Sequence, residues 1–287
     1  MTKQFTTANK DGLSSPSRRL MLTGCGSLAV TASLAPWITW SAPVDRSQGD
    51  LFAFTAPTKH DLVFALALSP RPFGQTEREP LTVRLHAGAS CWMVGPFALQ
   101  DSEDVLPDGT CLFTGQVWRT TSNGARAMAH LIAVATSAEQ MPPGSLGVWA
   151  EILGAGAVRW RIGNPVVSHL LADDARLAQL HAALHPAMDV QVLSAAIARR
   201  IAALPTGGLG VDSQAHAKRL AALILPDTLQ FDPARPSGYT FAGLNGRRAE
   251  DVIEPVVQTV LVGAPRPGLG ARCYLAASQF PYFAKAA

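Results

Sequence analysis

The chain has 287 residues, 48% of them hydrophobic and 16% charged, which suits one large domain or two small ones and argues against a disordered chain. The net charge is only +3 at pH 7 and no run of Lys and Arg forms a stripe, so nucleic acid has no electrostatic footprint here. Four cysteines (Cys25, Cys91, Cys111 and Cys273) include no C-x-x-C pair, which argues against a zinc ribbon or a thioredoxin-like site.

Residues 1–17 are polar, and Ser17-Arg18-Arg19-Leu20-Met21-Leu22 then fits the twin-arginine export pattern. No charge occurs from Leu20 to Ala42, the order of a signal peptide with a charged start and an apolar centre. Gly24, Gly26 and Pro36 keep that centre only mildly hydrophobic. Leu22-Thr23-Gly24-Cys25 also looks like a lipoprotein cleavage site. Cys25 stands only six residues after Arg19, however, with no membrane-inserting segment before it. The stretch is long enough for a permanent span, but Pro36 and the glycines argue against one. Residues 1–42 are therefore read as a twin-arginine signal peptide and 43–287 as a single exported domain. The expected location is the periplasm or cell envelope. The expected partners are the twin-arginine translocase and a small ligand or protein of unknown identity. No stable membrane span is expected once the leader is cleaved.

The first half of the body reads as strands. "DLFAFTAP" and "DLVFALALSP" are apolar runs joined by Thr58-Lys59-His60, a hairpin pattern. "LTVRLHAG" alternates, with Leu81, Val83 and Leu85 on one face and Thr82, Arg84 and His86 on the other. "CLFTGQVWRT", "HLIAVATS", "LGVWAEIL" and "VRWRIG" follow, separated by turn clusters such as "LPDGT" and "TSNGAR". The second half changes period. "DDARLAQLHAALHP" places Leu177, Leu180 and Leu184 on one helical face, with Asp173 and Asp174 at its positive end. "DVQVLSAAIARRIAAL" and "SQAHAKRLAALIL" are two more helices, the last with Ser213 as its expected cap. The pattern predicts an α+β fold: a β-rich, sandwich-like N-terminal half with several packed helices in the C-terminal half.

Six phrases in order carry a family resemblance: "DLFAFTAP" (50–57), "LGVWA" (146–150), "IGNPVVSHLL" (162–171), "HPAMD" (185–189), "NGRRAEDVIE" (245–254) and "FPYF" (280–283). Together they resemble the bacterial domain of unknown function 4331 family, over nearly all the chain after the leader. The resemblance implies a fold and an export habit, and no activity. Three acidic segments usual in the family are reduced here. "SAPVDRSQG" keeps only Asp45 and has no His; "VGPFALQ" and "GLGARCY" have no acid. If those acids hold a cation or polar ligand in relatives, this chain is expected to have lost that site.

His181 and His185 stand four apart on a predicted helix, the spacing that lets two imidazoles reach one metal. Asp189 or His169 is the candidate third ligand. Ala182 stands where a zinc protease would carry Glu, and two histidines near a helix end also suit the dipole without any metal. Asn245-Gly246-Arg247-Arg248 reads either as an anion site at a helix start or as a structural helix start, the helix running to Val262. Cys91 and Cys111 are either a disulfide across a hairpin or free thiols. "PGSLG" (143–147) lacks the spacing of a nucleophile elbow, and "PTGGLGVDS" lacks the Lys of a phosphate loop. Trp92, Trp118, Trp149 and Trp160 all fall in predicted strands, where core packing competes with ligand stacking.

No cofactor is expected. The reading is an exported, non-enzymatic binding or structural module. The alternatives are an exported metal-dependent hydrolase using His181 and His185, or a degenerate relative that keeps only the fold. Replacing Arg18 and Arg19 by Lys is expected to block export, measured by fractionation and immunoblot; unchanged export refutes the twin-arginine assignment.

Overall fold

The computed structural model describes residues 49–57, 61–68, 82–95, 102–120, 125–154, 157–171, 174–204, 212–262 and 273–286. The leader, with Arg18, Arg19 and Cys25, lies outside the described residues, as do Asp45, Asp173 and most of "PTGGLGVDS". In chain order the strands are β1 (Gly49–Thr55), β2 (Asp61–Leu68), β3 (Thr82–Ala87), β4 (Ser90–Val94), β5 (Ser102–Val105) and β6 (Cys111–Thr120). They continue with β7 (Arg126–Ser137), β8 (Leu146–Gly154), β9 (Ala157–Ile162), β10 (Leu229–Phe231), β11 (Gly238–Thr240) and β12 (Gly243–Asn245). The helices are α1 (Pro165–Leu171), α2 (Ala175–Ala183), α3 (Asp189–Ala202), α4 (Ser213–Ile224) and α5 (Glu254–Val262).

The strands build two five-stranded antiparallel sheets, one of them larger because its strands are longer, and a separate two-stranded pair, β11–β12, so the fold is α+β. The larger sheet has the order β1-β2-β7-β6-β5, and β1 and β2 form the expected hairpin. In the smaller sheet β4, β3 and β8 run side by side; β10 and β9 share the far edge of β8, at its start and end respectively. Side-chain alternation assigns the faces. Leu62, Phe64, Leu66 and Leu68 of β2 and Val83, Leu85 and Ala87 of β3 point into one shared core, where Trp92 stacks on Phe64 at 5.5 Å. Val63, Ala65 and Ala67 point the other way, into a second core covered by Ala249, Tyr274, Tyr282 and Phe283. β2 reads as an unbroken apolar run because both of its faces are buried. β3 reads as an alternating one because Arg84 and His86 face outward from the smaller sheet.

The helices extend the first core: Val167, Leu177, Leu193, Ile197, Leu220 and Ile224 all join it. α2 lies against β9, and α3 packs on α4. Their N-termini show where the sequence reading needs correction. Asp174 caps α2 through Leu177 N at 2.9 Å, but the cap of α4 is Asp212, whose carboxylate accepts from Gln214 N and Ala215 N, not Ser213. On α2 the buried stripe is Leu177 and His181, four apart, and Leu180 points outward at 44% exposure. α1 was not legible as a helix in the sequence at all.

The helix expected to start at Asn245 begins only at Glu254. Before it the chain is pinned by side chains. The Asn245 amide donates to the carbonyls of Asp232, Arg235 and Pro236, at 3.0–3.1 Å. The Asp251 carboxylate accepts from Tyr239 N and Arg248 N, both at 2.8 Å. These bonds hold 245–251 as an irregular connection, because Asx side chains compete with the backbone for its own donors and acceptors. Gly246 is required here: its φ is +69°, and a Cβ would lie 2.1 Å from the Ala53 carbonyl oxygen. Among the described residues, no helix is long and apolar enough to cross a membrane.

Candidate functional site

Strand register builds a ladder of alternating charge across the outer face of the smaller sheet. Arg84 on β3 stands opposite Glu151 on β8, and Glu151 stands opposite Arg161 on β9. Arg84 Nη1 reaches Glu151 Oε2 at 3.3 Å. Glu151 is buried, and a lone carboxylate there would be costly, so the cross-strand arginine is what makes it tolerable.

Arg161 carries the ladder under the helices. Its Nη2 donates to both oxygens of Asp189, each at 2.7 Å, and its Nη1 donates to the Leu184 carbonyl at 2.6 Å. Both charged side chains have no solvent exposure. Asp189 opens α3 and also accepts from Asp227 N at 2.8 Å. The Asp227 carboxylate accepts from Asn164 N at 2.6 Å and meets His181 Nε2 at 2.7 Å. Arg161 Nε lies 3.2 Å from the same ring nitrogen. One nitrogen cannot donate to Asp227 and accept from Arg161 at once. The shorter contact assigns its hydrogen to Asp227. One network therefore joins β9, α2, α3 and the segment before β10. Gly163 lets two of these segments touch, since a Cβ there would lie 2.3 Å from the Asp227 carbonyl oxygen.

Beside the ladder lies a second row, Cys91 on β4, His86 on β3 and Trp149 on β8, again in register. His86 stacks on Trp149 at 3.8 Å and 3°, and His185 meets the indole edge-on at 5.3 Å. His86 Nε2 lies 3.9 Å from Cys91 Sγ and 3.5 Å from Glu151 Oε2. This grouping of Cys, His and Glu is not a nucleophile triad. A triad needs the base to face the thiol with one nitrogen and the acid with the other, whereas both contacts use Nε2. Burial pushes the Cys91 thiol up to about 11, helped by Glu151 and opposed by Arg84, which is the environment of an inert thiol.

The third cluster centres on Arg247. It is 1% exposed, donates to Asp50 Oδ1 at 2.7 Å and lies 4.5 Å over the Phe52 ring. Its Nε and Nη2 have no hydrogen-bond partner among the described residues. Tyr274 OH donates to the other Asp50 oxygen at 2.8 Å. Burial works to raise the Asp50 pKa, but the charge and hydrogen bond of Arg247, the Tyr274 hydroxyl and the charge of Arg119 outweigh it, leaving the pKa below the ordinary aspartate value. Burial and the Asp50 charge push the Tyr274 hydroxyl well up.

The sequence candidates thus separate. His181 and Asp189 enter one buried network, but through Arg161 and Asp227 rather than through each other. His185 turns to Trp149, and its Nδ1 accepts from Ala187 N at 3.2 Å. His169 lies near Gln258, at 3.4 Å. Among the described residues, no group of three or more His, Cys, Asp or Glu is placed to hold a metal ion. Arg247 is not at a helix start. Arg248 is half-exposed, with Glu250 at 3.3 Å. Cys91 and Cys111 belong to different sheets and are free thiols, as is Cys273; the hairpin that would bring the first two together does not exist. The Trp149 face is taken by His86, and Trp92 is core. Arg161, Asp227, Asp50 and Tyr274 were not among the candidates. The only sequence signal was charge inside or beside apolar strands. No family model, curated protein or solved structure matches this chain.

Asp189→Asn leaves Arg161 charged, buried and without its counter-ion. It is expected to lower the unfolding free energy by about 3–5 kcal/mol in urea titration. Arg248→Ala removes a half-exposed pair with Glu250 and a longer contact, 3.7 Å, to buried Asp251, which keeps its two backbone donors; it is expected to cost about 1 kcal/mol, well below Asp189→Asn. The Asp50 shift gives a pH signature. A depressed folded pKa stabilises fully above the unfolded value of about 3.9 and loses that stabilisation as pH falls through the folded pKa. The stability gap between wild type and Asp50→Asn is expected to be constant near neutrality and to shrink below about pH 4; a gap that does not change with pH refutes the assignment.

Proposed function

We propose that this chain is an exported, non-enzymatic binding or structural module of the periplasm or cell envelope, with the fold of the domain of unknown function 4331 family. One observation carries the non-enzymatic part. Three of the polar side chains that the sequence nominates for chemistry are engaged in holding elements together. His181 and Asp189 are bound to Asp227 and Arg161, and Arg247 is bound to Asp50. A catalytic base or metal ligand must instead present a free lone pair to a reacting atom or ion.

The family reading is supported by where its phrases fall. "DLFAFTAP" supplies Asp50, "IGNPVVSHLL" supplies Asn164, "HPAMD" supplies Asp189, and "NGRRAEDVIE" supplies Asn245, Arg247 and Asp251. Each of these residues makes hydrogen bonds between distant segments. Short phrases that supply such contacts suit a shared fold. The export reading rests on the leader alone. Binding, in this reading, belongs to a surface rather than to the buried networks.

Metal analysis of the purified mature protein separates this from the hydrolase alternative. Well under one equivalent of zinc, unchanged in His181→Ala and His185→Ala, is the expected result. A full equivalent that disappears on either substitution overturns the proposal.

A further inference from the structure

β1 is the first strand after the expected leader, and it lies at the edge of the larger sheet. β2 holds one side of it. On the other side it has an isolated bridge between Ala53 and Arg247, with Ala53 N donating to Arg247 O at 3.2 Å and Arg247 N to Ala53 O at 2.9 Å. Leu51 and Ala53 face the main core. Phe52 and Phe54 face outward, and the rings that cover them come from the end of the chain. Tyr274 and Phe283 meet Phe52 edge-on at 5.1 and 5.0 Å, and Tyr282 meets Phe54 at 6.1 Å.

Those rings sit on a terminal hairpin, residues 273–286. Its two arms meet at an Ala276–Phe283 bridge, and both arms bond to the second half of β6, beyond the reach of β5. Trp118 N donates to Ala284 O at 2.9 Å, and Thr120 N donates to Cys273 O at 2.8 Å. Lys285 pairs with Glu103 on β5. The hairpin is thus an added edge whose aromatic side chains roof the second core.

We propose that Asp50, Arg247 and Tyr274 form a latch that couples β1 to the hairpin at 273–286, so that the two open and close as one unit. Asp50 reaches Arg247 across 197 residues and Tyr274 across 224. Its carboxylate bonds to both, one oxygen to each. Losing the hairpin bares Phe52 and Phe54 and removes a donor from Asp50. Losing β1 removes the carboxylate from a buried guanidinium and uncovers Tyr274 and Phe283. Each half makes the other costly to open alone, whereas β3, β4 and β8 carry none of the three latch side chains and meet β1 through Leu51 and Ala53 in the main core. Closure therefore needs residues 273–286 in place, and the open state displays an apolar sheet face that includes Val63, Phe113 and Val117. The latch stands whether or not the domain binds a ligand.

Hydrogen exchange with mass spectrometry on the full chain tests it, using Tyr274→Phe and Asp50→Asn. Tyr274→Phe keeps the ring and removes only the hydroxyl, so the fold survives. It is expected to speed exchange in Gly49–Thr55 about tenfold, the loss of one hydrogen bond to a charged group, and in 273–286 by the same factor. β3, β4 and β8 keep their wild-type rates. Asp50→Asn, which lies in β1, is expected to loosen 273–286 reciprocally. If Asp50→Asn does not fold, Tyr274→Phe alone decides. Three results overturn the latch: β1 and the hairpin responding independently, all strands accelerating alike, or no change at Tyr274→Phe.

Discussion

The arrangement depends first on a buried guanidinium, that of Arg161. A charge with no solvent contact needs both a counter-ion and acceptors for its remaining donors. Arg161 finds Asp189 at the start of one helix and the Leu184 carbonyl just beyond the end of another. Meeting those demands fixes α2 and α3 against β9. His181 and Asp227 then complete the surroundings, and Asp227 in turn fixes Asn164 at the start of α1. The helices are held against the sheet by apolar packing, but the positions of their ends follow from where the arginine can be satisfied.

Arg247 does the same at the opposite side of the larger sheet. The two arginines differ in how complete their environment is. Both terminal nitrogens of Arg161 have acceptors, whereas Arg247 relies on one carboxylate and the face of Phe52, with two nitrogens unmatched among the described residues. That difference makes the first a fixed joint. The second depends on Asp50, which lies 197 residues away in β1 and also accepts from Tyr274.

Much of the fold was legible. β2 announced itself as a strand buried on both faces, β3 as one with an outward polar face, and α2 and α3 by their period. These signals are local, set by which face of an element meets water. The candidate chemistry was less legible. The four-residue spacing of His181 and His185 looked like a metal pair, but His185 lies just past the end of α2, and the change of backbone direction there sends the two imidazoles apart. The spacing of Cys91 and Cys111 suggested a hairpin; an intervening strand, β5, puts them in different sheets. The Asn245 phrase looked like a helix start because its charges suit one. Hydrogen bonds from Asn245 and Asp251 to segments upstream in the chain override that preference.

The sequence by itself determined the class of fold, a strand-rich first half before a helical second half, and the faces of its longer strands. Each follows from periodicity or from the order of charged and apolar residues within a short window. Only the tertiary structure decided which charged residues are partners. Asp50 with Arg247 and Tyr274, Arg161 with Asp189, and His181 with Asp227 are pairs separated by 28 to 224 residues. Nothing local distinguishes a carboxylate that will meet a buried arginine from one that will stay in water. The choice is made when the sheets stack and leave each buried charge one partner within reach.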